Sequence, residues 1–431
     1  MAKSKKKTNW LARIIVFLII AGALGVSMLF ELKINYALGL TKIEEEAYEG
    51  PTTSEVLSVK NDLNVHFVDV GQGDACIIEF PDGKNMLIDG GDKDGEVADT
   101  LLAYIEANIL DDDGTPIDYF DYAMLTHPDS DHCGSMDKVL NKYPTKVFYR
   151  PNVLATRSGY TDPGLGNLIE GYGEKDTIEY RDAIEAGHNQ TLGTKVLINS
   201  IDLPAIEPEG KSKGQDGYYS LNFYGPESAS YKDWNDYSPI MILEYEDIRF
   251  ALTGDCEKHG EAEFAQNVVD AKTDGKTDKF DEFDDDFHVD VIKLGHHGSR
   301  TSTGEDLVEA VTGTENQRAS TLLIASCGFD NKYKHPHTEK IDELVSLGFK
   351  KENLLRTDEN GTIVLSVRYD ENQSKYALFH GANAMVKSQK ETVDWRYIAL
   401  VILGVSFLIL IVAPIVGKRG MKKIAKNAKK K

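Results

Sequence analysis

The sequence predicts an α/β fold of layered strands and helices with an apolar helix near each end. Three observations predict it. Short β-branched runs alternate with amphipathic stretches through the middle of the chain, which suits α/β layers better than an all-β barrel. Two uncharged apolar runs, each beside a basic cluster, lie near the termini. Histidines and aspartates recur just after apolar strands, where the strand ends of a sheet can converge on one site.

The ends come first. Residues 1–30 hold Lys3, Lys5, Lys6, Lys7 and Arg13 and no acid, and residues 395–431 are basic and likewise free of acid. Ile14 to Phe30 is uncharged and nearly all apolar, as is Tyr397 to Gly417 apart from Ser406 and Pro414. A helix needs about 20 such residues to span a bilayer, with about 17 the lower limit. The second run is comfortable and the first is near that limit. Trp10, Trp395 and Tyr397 stand where interfacial aromatics belong, and basic flanks prefer the cytoplasmic side. The expected arrangement is a cytoplasmic tail at 1–9, a span at 10–30, a linker at 31–62, an extracytoplasmic domain at 63–370, a juxtamembrane linker at 371–394, a span at 395–417 and a cytoplasmic tail at 418–431. A cleaved signal peptide is the competing reading of the first run. It leaves the domain outside as well.

Outside these ends, the remaining 34 of the 48 basic residues face all 70 acids, a balance of −36. That balance argues against a broadly basic nucleic-acid binder. Cys76, Cys133, Cys256 and Cys327 have no zinc-finger spacing and read as small buried side chains.

Within the domain, Val65–Val70, Ala75–Phe80 and Met86–Asp89 read as strands joined by Gly71-Gln72-Gly73-Asp74 and Pro81-Asp82-Gly83-Lys84. Val97–Ile109 has helical spacing, and Tyr119–Thr126 is a strand delivering His127. Further strands are expected at Lys195–Ile201, Leu221–Tyr224, Ile240–Tyr245, Arg249–Leu252, Val289–Lys293, Ser320–Ala325 and Thr362–Val367. Helices are expected at Glu261–Val269, Glu305–Val311 and Glu339–Leu347. Residues 151–190 and 205–236 read as long loops lining a site, and acidic 273–287 as a solvated loop.

The chemistry begins with His127-Pro128-Asp129-Ser130-Asp131-His132. Two carboxylates and two imidazoles so close repel one another unless a cation sits among them. Phe250 to Asp255 is a strand ending in a carboxylate, Val291 to Ser299 a strand ending in paired histidines, and Lys334-His335-Pro336-His337 follows another apolar segment.

These ordered motifs, with Val70 to Asp74, Leu87-Ile88-Asp89-Gly90-Gly91 and Thr357 to Ile363, resemble the metallo-β-lactamase-fold superfamily. Within it they resemble the extracellular hydrolase domain of ComEC/Rec2-type competence proteins, over about 63–369. The resemblance implies a metallo-β-lactamase-like αββα sandwich, here flanked by two transmembrane helices, with two divalent metal ions (Zn²⁺ or Mn²⁺). Carried over, His127 and Asp129 would bind one ion, Asp131, His132 and His296 the other, and Asp255 would bridge them. A water activated between the ions would be the nucleophile. Asp131, His335 and His297 would be catalytic, His335 as proton donor or phosphate contact, and Asp74, Asp89 and Ser299 would support the ligands. Asp129 stands where the superfamily's usual motif has a second histidine. The superfamily's later histidine has no good counterpart, because His188 reads as a surface turn. Two spans cannot form the DNA channel of the competence proteins.

The function expected is extracytoplasmic, metal-dependent hydrolysis of a phosphodiester at the cell membrane, with DNA among the candidate substrates. Two alternatives stand beside it: hydrolysis of a small phosphoester or a non-phosphate ester or amide, and a non-catalytic, metal-stabilised binding module.

Overall fold

A computed structural model describes residues 10–28, 34–35, 38, 41–47, 50–59, 62–111, 113–188, 192–274, 279–284, 286–382, 385–391, 395–416 and 419. The chain forms two compact units, one of Met1–Glu46 with Lys387–Lys431 and one of Ala47–Val386.

In the first unit, helix Trp10–Ser27 lies beside helix Trp395–Phe407, which continues as a π-helical turn at Leu408–Val412. The rings of Phe17 and Phe407 meet edge to face at 5.7 Å, and the Trp395 indole N–H donates to Ser27 Oγ at 3.0 Å. Trp395–Val416, 22 residues, is long and apolar enough to cross a membrane, while the apolar helix Ala12–Ser27 is shorter. Apart from Arg419, the basic tails expected at 1–9 and 418–431 lie outside the described residues.

The second unit is built on two sheets. The larger runs, in spatial order, Lys375–Ala382, Ile363–Asp370, Leu63–Phe67, Cys76–Glu79, Asn85–Ile88, Phe120–Met124, Thr145–Arg150, Lys195–Ile198. Pairing is antiparallel as far as Asn85–Ile88 and parallel beyond it. The smaller runs Tyr219–Phe223, Met241–Tyr245, Ile248–Leu252, Val291–Lys293, Leu322–Ala325, Leu354–Arg356, and turns parallel from Ile248–Leu252 onward.

Period-two alternation assigns the faces. Cys76, Ile78, Met86 and Ile88 pack against Met241, Leu243, Phe250 and Val291 between the sheets. Their neighbours Ile77 and Leu87 turn outward beneath Leu101, Ile105, Leu140 and Ile184 of the covering helices. On the other side Ile242, Ala251 and Ile292 lie under Phe264, Val308 and Leu344. The result is helix, sheet, sheet, helix.

Four segments read as irregular or missed are ordered at least in part. Helix Thr53–Leu57 and strand Lys375–Ala382 fall in stretches read as linkers. Yet Thr52 bridges Ala382, and the strand pairs with Ile363–Asp370 along its whole length, so the compact unit is wider than 63–370. Helix Ile178–Gly187 lies within the loop read at 151–190. In the acidic stretch 273–287, Phe280, Phe283 and Phe287 are buried around Tyr224 and Phe264, so apolar anchors hold much of a segment read as solvated. All four cysteines are buried thiols without a disulfide.

Candidate metal centre

The parallel strands of both sheets end at one edge, the usual place for a site in such sheets. Asn85–Ile88 ends in Asp89, Phe120–Met124 leads to His127, Ile248–Leu252 leads to Asp255 and Val291–Lys293 to His296 and His297.

The loop carrying the first motif is shaped by close backbone approaches. Gly73, at φ +138°, leaves room that a Cβ would lose, since that atom would stand 2.3 Å from the Asp131 carbonyl oxygen. The Asp74 N–H donates to that same carbonyl at 3.1 Å. After Asp129 the chain turns into the short helix Ser130–Cys133, which swings His132 back toward the sheet.

Asp89 organises this edge. Its carboxylate accepts from the Thr126 N–H at 2.8 Å and the Thr126 hydroxyl at 2.7 Å, and lies 2.7 Å from His132 Nδ1. An Nδ1–H donated to Asp89 leaves the His132 Nε2 lone pair facing the centre. His297 is set the same way, with Nδ1 2.9 Å from the Ser326 carbonyl. His296 is set by Glu257, 3.0 Å from its Nδ1, and Glu257 also accepts from the Thr301 hydroxyl at 2.7 Å. Ser299 joins this chain through Thr301 at 2.9 Å. Both paired histidines have left-handed backbones, φ 47° and 56°. That costs energy in residues with a Cβ and persists only when the surroundings enforce it.

Asp255 Oδ2 is the hub. It lies 3.2 Å from His132 Nε2, 3.4 Å from His297 Nε2 and 3.8 Å from His296 Nε2. Asp131 Oδ2 reaches His297 Nε2 at 3.3 Å. Side-chain donor atoms of Asp74, His132, Asp255 and His297, all buried, lie within 4.8 Å of one another. His297 thus meets both Asp131 and Asp255, while His296 lies 3.8 Å from Asp255 at the more exposed side of the group. His296 had been expected as the ligand, and the structure brings His297 closer to Asp255 and Asp131. Asp74, expected only in support, stands in the group itself.

The charge balance explains why these residues tolerate one another. Burial favours neutral side chains, but Lys293 and His297 hold Asp74 down to about 2, and the nearby histidines hold Asp255 well below the usual carboxylate range. Burial lowers the His297 imidazole, yet Asp255 and Asp74 carry it up to about 10, and Asp255 and Asp89 likewise raise His132. His127 is pushed down to about 4 by burial and by the neighbouring His132. His335, buried beside His297 and His296, is pushed down to about 3. The rings of His335 and half-exposed Tyr333 stack at 5.7 Å.

The donor set fits a cation. Among the described residues, His127 Nε2, His132 Nε2, His297 Nε2, Asp74 Oδ1 and Asp255 Oδ1 are buried without a hydrogen-bond partner. Buried polar atoms are rarely left so, and Asp74, His132, Asp255 and His297 bring donor atoms together as imidazole and carboxylate ligands do around Zn²⁺ or Mn²⁺.

Three participants went unread in the sequence. Lys293 is buried, contacts Asp74 and donates to the Gly254 carbonyl at 3.1 Å. A lysine inside an apolar strand was the signal for it. Glu257 follows Asp255 by two residues. Lys175 Nζ lies 2.7 Å from Asp129 Oδ1, and nothing local in the sequence announces that contact. His188 is outside the group, half-buried with Nε2 3.3 Å from Arg150 Nη1.

Residues 68–194 match the family model described as the metallo-beta-lactamase superfamily. The chain is 26% identical over 309 residues to ComE operon protein 3 of Bacillus subtilis, covering 69% of this chain and 32% of that protein. It is 26% identical over 286 residues to Recombination protein 2 of Haemophilus influenzae, covering 65% and 26%. It thus spans about a third or less of the length of these two relatives. Among solved structures, the metallo hydrolase Igni18 of Ignicoccus hospitalis aligns over 69% of this chain and 98% of its own, at 11% identity and a TM-score of 0.35.

Proposed function

We propose that this chain, which carries a metallo-β-lactamase superfamily domain and is similar to ComEC/Rec2-type competence proteins, is a membrane-anchored, extracytoplasmic phosphodiesterase. The observation that carries the reading is the convergence of His132, His297 and Asp255, whose buried donor atoms include ones without a hydrogen-bond partner, with Asp131 beside His297 at the same sheet edge.

These four side chains would hold a divalent ion. Such an ion supplies Lewis acidity and lowers the pKa of water. The chain's own groups do the rest. Asp89, the Ser326 carbonyl and Glu257 fix the tautomers of His132, His297 and His296, so each presents Nε2 inward. Lys293 neutralises Asp74 and keeps a second carboxylate tolerable beside Asp255. His335, between His297 and Tyr333, would meet the leaving oxygen or a phosphate oxygen. Charge developing on a phosphoryl group meets preset cationic groups, which need no reorganisation during reaction.

Similarity to competence proteins supports a phosphodiester in nucleic acid, while the charge of −36 between the basic ends favours a small phosphoester. The test uses the full chain in detergent with Mn²⁺ or Zn²⁺, on single-stranded DNA and on bis-p-nitrophenyl phosphate. We expect cleavage of both, and its loss in Asp255→Ala. Cleavage of the small ester alone would select the small-substrate reading. If neither is cleaved and Asp255→Ala matches wild type, the domain is a binding module.

A further inference from the structure

The sequence motifs imply two ions, and the geometry of the first position argues otherwise. A catalytic metal position ordinarily takes three protein ligands. The first position would draw on His127, Asp129 and the bridging Asp255. Asp129 is already engaged, since Lys175 Nζ lies 2.7 Å from its Oδ1, while its Oδ2 lies 4.0 Å from His127 Nε2. The histidine that the superfamily commonly adds has no counterpart here, because His188 is turned to Arg150.

Lys175 is not a passing surface charge. Its side chain is 16% exposed. The ammonium lies 4.9 Å from the ring centroid of Trp234, which stacks on buried Tyr237 at 5.8 Å. A cation over an indole face is attracted by the ring. Strand Gly173–Lys175 pairs with Val153–Ala155, and Asp162 accepts from the Ala155 N–H at 2.9 Å while binding the Arg150 guanidinium through both oxygens. At the strand's start, a Cβ on Gly173 would stand 2.5 Å from the Tyr237 hydroxyl, so this framework packs closely against the lysine's support.

We propose that the centre is mononuclear, with the Lys175 ammonium on Asp129 standing where a first metal ion would otherwise bind. The single ion would be held by Asp131, His132, Asp255 and His297. Lys175 supplies the positive charge on the opposite side, fixed in place by the chain and therefore independent of metal supply. This rests on the hydrolase reading, and the substrate's phosphoryl group would lie between the ion and the ammonium.

The test is metal content. The full chain in detergent is loaded with excess Mn²⁺, desalted and assayed by elemental analysis and electron paramagnetic resonance. We expect a single manganese per chain with an isolated-ion spectrum, in place of the coupled pair of a two-metal site. Lys175→Ala should take up a second, spin-coupled ion, and Lys175→Arg should not. Asp129→Ala should keep the single ion at unchanged affinity, a check that stands even if Lys175→Ala fails to fold. Two coupled ions in wild type would overturn the inference and leave the hydrolase reading intact. Single occupancy in well-folded Lys175→Ala, or metal loss in Asp129→Ala, would overturn the role given to Lys175. A wild-type chain that binds no metal would sink the hydrolase reading itself.

Discussion

Asp89 shows how much one side chain can settle. It terminates a buried strand with φ 61°, accepts two hydrogen bonds from Thr126 and orients His132, so the residue before the first motif and the last residue of that motif hang on one carboxylate. Partners of this kind are worth about 10–100-fold in metal affinity. Asp89→Ala should therefore weaken Mn²⁺ binding by about that factor, measured by competition with a fluorescent chelator. Unchanged affinity would mean that packing alone holds His132. The motif residues were legible because histidine and aspartate at such spacing have few structural uses. That His297 lies nearer Asp255 and Asp131 than His296 was not legible, because it depends on backbone dihedrals that residue identity does not set.

At the scale of elements, the segment after strand Thr145–Arg150 matters most. Arg150 ends that strand with its guanidinium fully buried, paired with both oxygens of Asp162 and donating to the Val153 carbonyl at 2.6 Å. Removing one partner of a buried pair typically costs about 3–5 kcal/mol. Arg150→Met should lose about that much stability, and Arg150→Met with Asp162→Leu should lose less, both read by denaturant unfolding. The pH dependence has a definite sign. Burial raises the Asp162 carboxyl, but Arg150 and the Ala155 and Gly164 amides outweigh it and hold its pKa below the ordinary 3.8. Its contribution is complete above that value and is lost as pH falls through the folded-state pKa. The Asp162 part of the acid-unfolding limb should shrink in Arg150→Met, since only the Ala155 and Gly164 amides then oppose burial. Strands with alternating apolar residues were readable from the sequence. Strand Thr145–Arg150 and helix Ile178–Gly187 were missed because the first holds Lys146 and Arg150 and the second is weakly apolar, so tertiary packing rather than pattern makes them.

For the whole molecule, the proposed reading puts both termini in the cytoplasm and the acidic domain outside, because basic flanks prefer the cytoplasmic side of a span. Alkaline phosphatase, active only outside, should be inactive when fused at either end and active when inserted at the exposed turn 209–216. Activity of an amino-terminal fusion would reverse the topology of the first run, and an inactive insertion would put the domain inside. The sequence by itself determined the layered α/β class, the apolar ends and the set of metal-type residues, because periodicity, hydropathy and chemical type are local properties. Only the tertiary structure decided that Lys375–Ala382 extends the large sheet, that His297 lies closer to Asp255 than His296 does, and that Lys175 reaches Asp129 from 46 residues away. Those outcomes depend on which strands become neighbours and on how a left-handed turn aims its side chains, and neither is carried by any single stretch of sequence.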